Sequence, residues 1–381
     1  MHSLAAFLLV IVLALAILPA PRVQEKSPPE KKNECGTVVS TQQLQVELAR
    51  KAELARTTGA APALLPPTDA PYYLPMTIHL VHRSDGTGGL TLDLLKNAMQ
   101  DLNQRWLQVG VQFFIYGEID HINNDTYFKV PNDQASQDAL RQINVVANTI
   151  NVYFTNLVDI CGQANFTANA AQGVLLDINC MGAGYYLMVD LAAFAHEVGH
   201  YFDLYHTHET WPDSNGNPTK VECPSGSNCS TAGDFLCDTP ADPNLHSQYS
   251  CVYDNSDPTP PKCDNTPYNP PVNNLMSYSW RNCRDEFTPN QISKILQVLT
   301  HSGKRTGLIT NGTRYVDPLA NSSNNQCTYD YPCDGVEKAI QAARDGYLIF
   351  IKPGANQASF LGGKRVTLKR WGNAGVAEIA P

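Results

Sequence analysis

"FAHEVGHYFDLYHTHET", residues 194–210, places four histidines and two glutamates within seventeen positions. His196, Glu197 and His200 form H-E-x-x-H. On a helix, positions i and i+4 share a face, so both imidazoles reach one zinc ion. Glu197 sits one residue round the helix, near the metal without being forced to ligate it. That placement suits a general base. The preceding "DLAAFA" (190–195) is apolar and helix-forming, as a buried active-site helix needs. Catalytic zinc takes three protein ligands and keeps one position open. His206 supplies the third. It lies six residues beyond His200, out of phase with the helix, so the chain must turn sharply between them. Such a turn favours glycine, but Asp203 stands there; Asp is among the non-glycine residues that enter the left-handed region most readily. On this reading Asp203→Gly is expected to keep or improve activity. Glu222 is the rival third ligand, but that scheme needs a second helix, and prolines and glycines surround it. His208 and Glu209 follow His206 too closely to replace it and read as spare polar residues.

The 381-residue chain has 43% apolar and 17% charged residues and a net charge of −9. It is long enough for more than one domain. A nucleic-acid surface needs a basic face, which this charge does not supply. "LAAFLLVIVLALAIL" (4–18) is an uncharged apolar run followed by a polar, Pro- and Lys-rich segment. It reads as a signal peptide over 1–20, with an uncleaved anchor as the alternative. The rest of the chain is exported in either case. Eleven cysteines, ten of them within 161–333 and none in a C-x-x-C pair, read as disulfides of an exported protein. Their odd number leaves at least one unpaired, and Cys35 is isolated far upstream. Five Asn-x-Ser/Thr sites, at Asn124, Asn165, Asn228, Asn311 and Asn321, are glycan acceptors in a eukaryotic secretory pathway.

Residues 21–71 form a prosegment: a linker, a helix-like stretch over 40–58, and a Pro/Gly break at 59–71. Strand character over 72–84 is followed by helical spacing of Leu94, Leu95, Met99, Leu102 and Trp106, which Gly110 ends. Strands follow over 111–119, 150–158, 173–178 and 185–190, then the histidine helix. That order predicts a mixed sheet in an α+β, α/β-like domain spanning 72–302. The long stretch 211–275 has no periodicity and needs disulfides or ions to hold it. A helix over 288–302 opens with Thr288 and Pro289. The segment 303–381 is β-rich, with a short helix and glycine turns, and resembles the start of a parallel β-helix.

"HEVGHYFDLYHTH", "GDFLCDTPAD" (233–242) and "NNLMSYSWRNCRDEFTPNQ" (273–291) together resemble the pappalysin family of metzincin zinc proteases. The likeness spans roughly 75–305, with the three motifs in the family's order. It implies a metzincin catalytic domain with a twisted mixed sheet, an active-site helix and a Met-turn at Met276. It also implies one catalytic zinc, and Tyr278 as an oxyanion stabiliser beside Glu197. Asp234 and Asp238 become candidate ligands of a structural calcium, or simple turn formers. Cys35, in "NECGT", becomes a candidate cysteine switch of a zymogen, or a disulfide partner. Ser277 departs from the family, where Asp is frequent. Asp285 and Glu286 either line an acidic S1′ pocket or are solvated. The expected activity is hydrolysis of a protein or peptide substrate by a secreted enzyme, with no nucleic-acid partner and no membrane insertion after signal cleavage. The alternative is a catalytically weak zincin that binds surfaces or glycans; it predicts loss of Glu197 or a histidine, and all are present.

Overall fold

The structure is a computed structural model and describes residues 33–57, 72–184, 189–212, 218–246, 250–254, 263–301, 303–320, 327–329, 331–344, 346–357, 363–371 and 377–380. The expected signal peptide, the Pro/Gly break and 185–188 of the last expected strand lie outside the described residues; 189–190 are irregular. Residues Lys32–Pro381 form one compact unit.

The chain opens with β1 (Asn33–Cys35) and α1 (Thr41–Thr57). β2 (Tyr72–His82) follows, then α2 (Leu92–Trp106), β3 (Val111–Ile115), β4 (Asp120–Asn123), α3 (Asp125–Phe128), β5 (Lys129–Val130) and α4 (Gln134–Leu140). β6 (Ile150–Leu157), β7 (Ile160–Ala164), β8 (Val174–Asp177) and α5 (Ala192–Tyr201) complete the part that carries the histidines. The main sheet runs β1-β7-β8-β6-β2-β3, with β4 beside β2 and β5 beside β6. Every pair is parallel except β7–β8. β2 and β6 are buried along almost their whole length, as expected of central parallel strands covered on both faces. α2 is capped by Thr91, whose side chain accepts from Leu94 N–H. It buries Leu95, Ala98, Met99, Leu102 and Trp106, and Gly110 turns out of it at φ 71°.

After α5 come the short hairpin β9 (Trp211–Pro212) with β10 (Pro218–Lys220), then α6 (Pro289–His301). Among the loops, three disulfides staple the irregular stretch: Cys223–Cys263, Cys229–Cys237 and Cys251–Cys283. Cys161–Cys180 ties β7 to the turn after β8, and Cys327–Cys333 closes a small loop. Cys35 is the one free cysteine of the eleven, and it is buried.

The C-terminal part contains α7 (Gly307–Thr310), β11 (Thr313–Val316), α8 (Val336–Ala342), β12 (Leu348–Ile351), β13 (Gly354–Gln357), β14 (Thr367–Arg370) and β15 (Ala377–Ala380). β11, β12 and β14 stack in parallel, as do β13 and β15. This part packs on the main sheet: Phe350 stacks on Tyr73 at 4.1 Å, and Gly312 leaves no room for a Cβ beside Phe114 and Tyr116.

Candidate active site

α5 is buried on every side, so both its polar and its apolar residues face protein. Its C-terminus answers the question raised by Asp203. Leu204 N–H donates to Gly199 O at 3.0 Å and Asp203 N–H to His200 O at 2.8 Å. These bonds form a Schellman cap, with Asp203 in the left-handed position at φ 62°. The side chain adds what glycine cannot. Its carboxylate accepts from Thr167 N–H at 2.8 Å and from Thr167 Oγ1 at 2.5 Å, holding the β7–β8 connection to the end of the helix. Glycine at 203 would keep the turn and lose these two part-buried bonds.

The turn brings His206 back onto His196 and His200. Their Nε2 atoms lie 3.1 Å apart between 196 and 200, and 3.0 Å apart between 200 and 206. Each Nδ1 meets an oxygen acceptor: Leu275 O at 2.6 Å for His196, Leu204 O at 2.7 Å for His200 and Glu209 Oε2 at 3.2 Å for His206. Those bonds fix the N–H on Nδ1 and leave three Nε2 lone pairs converging on one point. Burial, helped by the neighbouring rings, holds His196 and His200 well below the usual histidine range, and burial brings His206 down to about 3. Three neutral imidazoles aimed at each other repel unless a cation sits between them. A tetrahedral ion with Zn–N of about 2.0–2.1 Å sets its ligand nitrogens roughly 3.3 Å apart, so the group fits zinc. The Cys35 sulfur lies with them, all four ligand atoms falling within 4.8 Å of one another.

The surrounding motifs interlock. Met276 N–H donates to Asn274 Oδ1 at 2.9 Å, closing a tight turn. Leu275 in that turn orients His196, and the Met276 sulfur lies where a Cβ on Gly199 would meet it at 2.5 Å. Thr288 and Gln291 form a reciprocal capping box on α6, with bonds of 2.9 and 3.3 Å. The Gln291 amide also exchanges hydrogen bonds with Asn274, at 2.7 and 3.1 Å. Asp238 accepts from Thr288 Oγ1 and Asn290 N–H. The segments 196–206, 233–242 and 273–291 thus form one unit.

A family model for pregnancy-associated plasma protein-A peptidases (Peptidase M43) matches residues 129–300. Over that stretch the chain is similar to the pappalysin family. An extracellular metalloprotease of Pyricularia oryzae is 26% identical over 272 residues, covering 68% of this chain and 86% of the relative. One from Colletotrichum graminicola is 27% identical over 236 residues, covering 58% and 74%. Among solved structures, mature mirolysin of Tannerella forsythia with a cleaved peptide matches at 18% identity and TM-score 0.44, over 64% of this chain and 96% of that one. The protein is a zinc metalloendopeptidase with a mixed, mostly parallel sheet.

The other predicted site residues are distributed as follows. Glu197 is fully buried, and burial pushes its carboxyl up to about 8. It lies against β7 at Gly162, where a Cβ would sit 2.5 Å from Glu197 Cγ. The Tyr278 ring packs edge-on to His206 at 4.8 Å, and its hydroxyl donates to Cys35 O at 3.3 Å. Glu209 and His208 are not spare: Glu209 orients His206, and His208 stacks on His206 at 4.9 Å. Both line a pocket of about 340 Å³ together with Glu222, Asp242 and Tyr268. Asp242 compensates for Ser277. Its Oδ2 accepts from Ser277 Oγ at 2.7 Å and Thr207 Oγ1 at 2.6 Å, joining the Met-turn to the residue after His206. Sequence reading missed Asp242, Gln291 and Gly199, although "DTPAD", "FTPNQ" and "HEVGH" contain them. Asp234 is buried and pushed up to about 7, whereas Asp238 caps α6, so the two carboxylates serve different places. Asp234 also acts on Glu222: burial, then Asp234 and Asp242, push Glu222 up to about 8, and among the described residues its buried Oε2 meets no hydrogen-bond donor.

Proposed function

We propose that this protease is exported as a latent precursor and, once its prosegment is removed, hydrolyses peptide bonds in proteins. His196, His200 and His206 hold the zinc. Bound there, zinc supplies Lewis acidity, polarising the scissile carbonyl and lowering the pKa of water. Glu197 accepts the proton of the attacking water and passes it to the leaving amine; a buried carboxyl near pH 8 is suited to move a proton both ways. Tyr278, beside His206, donates to the oxyanion. Cys35 is the switch, its thiol filling the fourth direction among the three imidazoles. Glu222 and Asp234 hold a structural calcium. Export agrees with the five disulfides and with relatives described as extracellular.

The observation that carries this reading is the convergence of three Nε2 atoms whose Nδ1 partners are all oxygen acceptors. Cleavage of casein by the processed protein tests it. Phenanthroline should abolish cleavage, zinc should restore it, and Glu197→Ala should lower it at least about a hundredfold. Cleavage that survives both chelation and Glu197→Ala overturns the mechanism.

A further inference from the structure

We propose that Thr37 is a second latency residue, clamping Glu197 to the edge of the sheet through its hydroxyl. The inference rests on the reading of this site as a latent zinc protease and adds a lock to it.

β1 lies parallel to β7, with Cys35 opposite Gly162, and Gly36 N–H continues the pairing to Gly162 O at 2.9 Å. Side chains two apart in an extended segment share a face. Cys35 and Thr37 therefore both point into the cleft, and Thr37 N–H turns back on Cys35 Sγ at 3.2 Å. The thiol lies with the imidazoles and also acts on Glu197, while the hydroxyl joins Glu197 to the edge of the sheet. Thr37 Oγ1 accepts from Ala164 N–H at 2.9 Å and lies 3.1 Å from Glu197 Oε2 and 3.3 Å from Ala164 O. With a lone pair committed to Ala164 N–H, its single proton goes to the nearer acceptor, Glu197 Oε2. Glu197 has little room to escape, because it lies on Gly162 of β7. The hydroxyl thus occupies both the catalytic carboxylate and an edge-strand N–H that an extended peptide would need for β-augmentation. Removing the thiol leaves both still occupied.

The test follows how often segment 33–37 lifts away, read as the rate of iodoacetamide alkylation of Cys35, the only free cysteine. It uses the full-length precursor, as purified and again after zinc removal. Thr37→Val should speed alkylation about tenfold, in line with losing one buried hydrogen bond and leaving Ala164 N–H without its acceptor. Thr37→Ser should restore the parental rate. In a Glu197→Ala background the same Thr37→Val change should have a several-fold smaller effect, because only the Ala164 bond remains to be lost. Equal acceleration in both backgrounds, or none in either, overturns the proposal. Zinc-loaded precursors read the consequence: Cys35→Ala should stay largely latent, and Cys35→Ala with Thr37→Val should be about tenfold more active. A fully active Cys35→Ala precursor also overturns it. If instead the cysteine-switch reading fails, zinc removal leaves the Cys35 alkylation rate unchanged while the Thr37–Glu197 coupling persists, so the two failures are distinct.

Discussion

Asp203 and Thr167 are joined by two hydrogen bonds across the end of the active-site helix, at 2.8 and 2.5 Å. Asp203→Gly relieves about 1–2 kcal/mol of left-handed strain but removes two bonds to a charged acceptor, each worth about 1.5–3 kcal/mol. The variant should be less stable by about 1–5 kcal/mol and should lose zinc more readily, seen in urea unfolding and metal titration. Asp203→Asn should fall between them. A Gly variant as stable as the parent would show that the side chain contributes nothing.

Gly199 lies under the Met276 sulfur. In an exposed helix, Gly→Ala stabilises by about 1 kcal/mol. Here the added Cβ would sit 2.5 Å from Sδ, and overpacking costs about 1–3 kcal/mol. Met276 is flexible, but its turn is bonded to Asn274 and to His196. Gly199→Ala should therefore lower both melting temperature and kcat, and adding Met276→Ala should recover part of each.

Glu209 orients His206 through Nδ1. Loss of such a partner typically weakens metal affinity about 10–100-fold. Competition with a zinc indicator should show that weakening for Glu209→Ala while far-ultraviolet circular dichroism stays unchanged. Undiminished affinity would return Glu209 to the role of a bystander.

Glu47 of α1 pairs with Lys294 of α6 at 3.2 Å, both side chains being buried. Burial raises the Glu47 carboxyl, but Lys294 and then Arg50 outweigh it and bring it down to about 2, against an ordinary 4.5. A depressed carboxylate stabilises above its unfolded pKa and loses that contribution as pH falls through the folded one. The window therefore runs from about pH 4.5 down to 2 and carries about 3 kcal/mol at 1.36 kcal/mol per unit. The stability gap between the precursor and Glu47→Gln should be widest at neutral pH and shrink steadily below pH 4.5. A gap that is flat across this range refutes the assignment.

Calcium should raise the melting temperature of zinc-saturated protein in proportion to the logarithm of its concentration. Glu222→Gln should remove that response, whereas Asp238→Asn should weaken α6 and leave it. If Asp238→Asn abolishes the response instead, the ion lies at α6.

The histidine triad was legible because its information is local: i, i+4 spacing fixes a helical face, and six further residues demand a turn. Met276 and the motif order were legible through family likeness. What the sequence did not disclose depends on approaches between distant segments. Gly199 looks like an ordinary variable position until Met276, 77 residues later, is seen against it. Asp242 has a purpose only when Thr207 and Ser277 are brought to it. Strand β7 went unread because "ICGQA" is short and interrupted by glycine, and that glycine is there for Glu197. The disulfide pairings were likewise closed to inspection of spacing.

Helix α1 turns Val46 and Leu48 outward, and its most deeply buried side chains are Gln43 and Glu47. Gln43 bonds Tyr205 and Ala168, and Lys51 bonds Ser230 O. The same segment also lays Val39 and Leu44 on the aromatic cluster of Phe166, Tyr205, Trp211 and Phe235. If the segment is removed as proposed, those four rings are left uncovered beside the turn that carries His206, an apolar patch ready to receive another hydrophobic side chain.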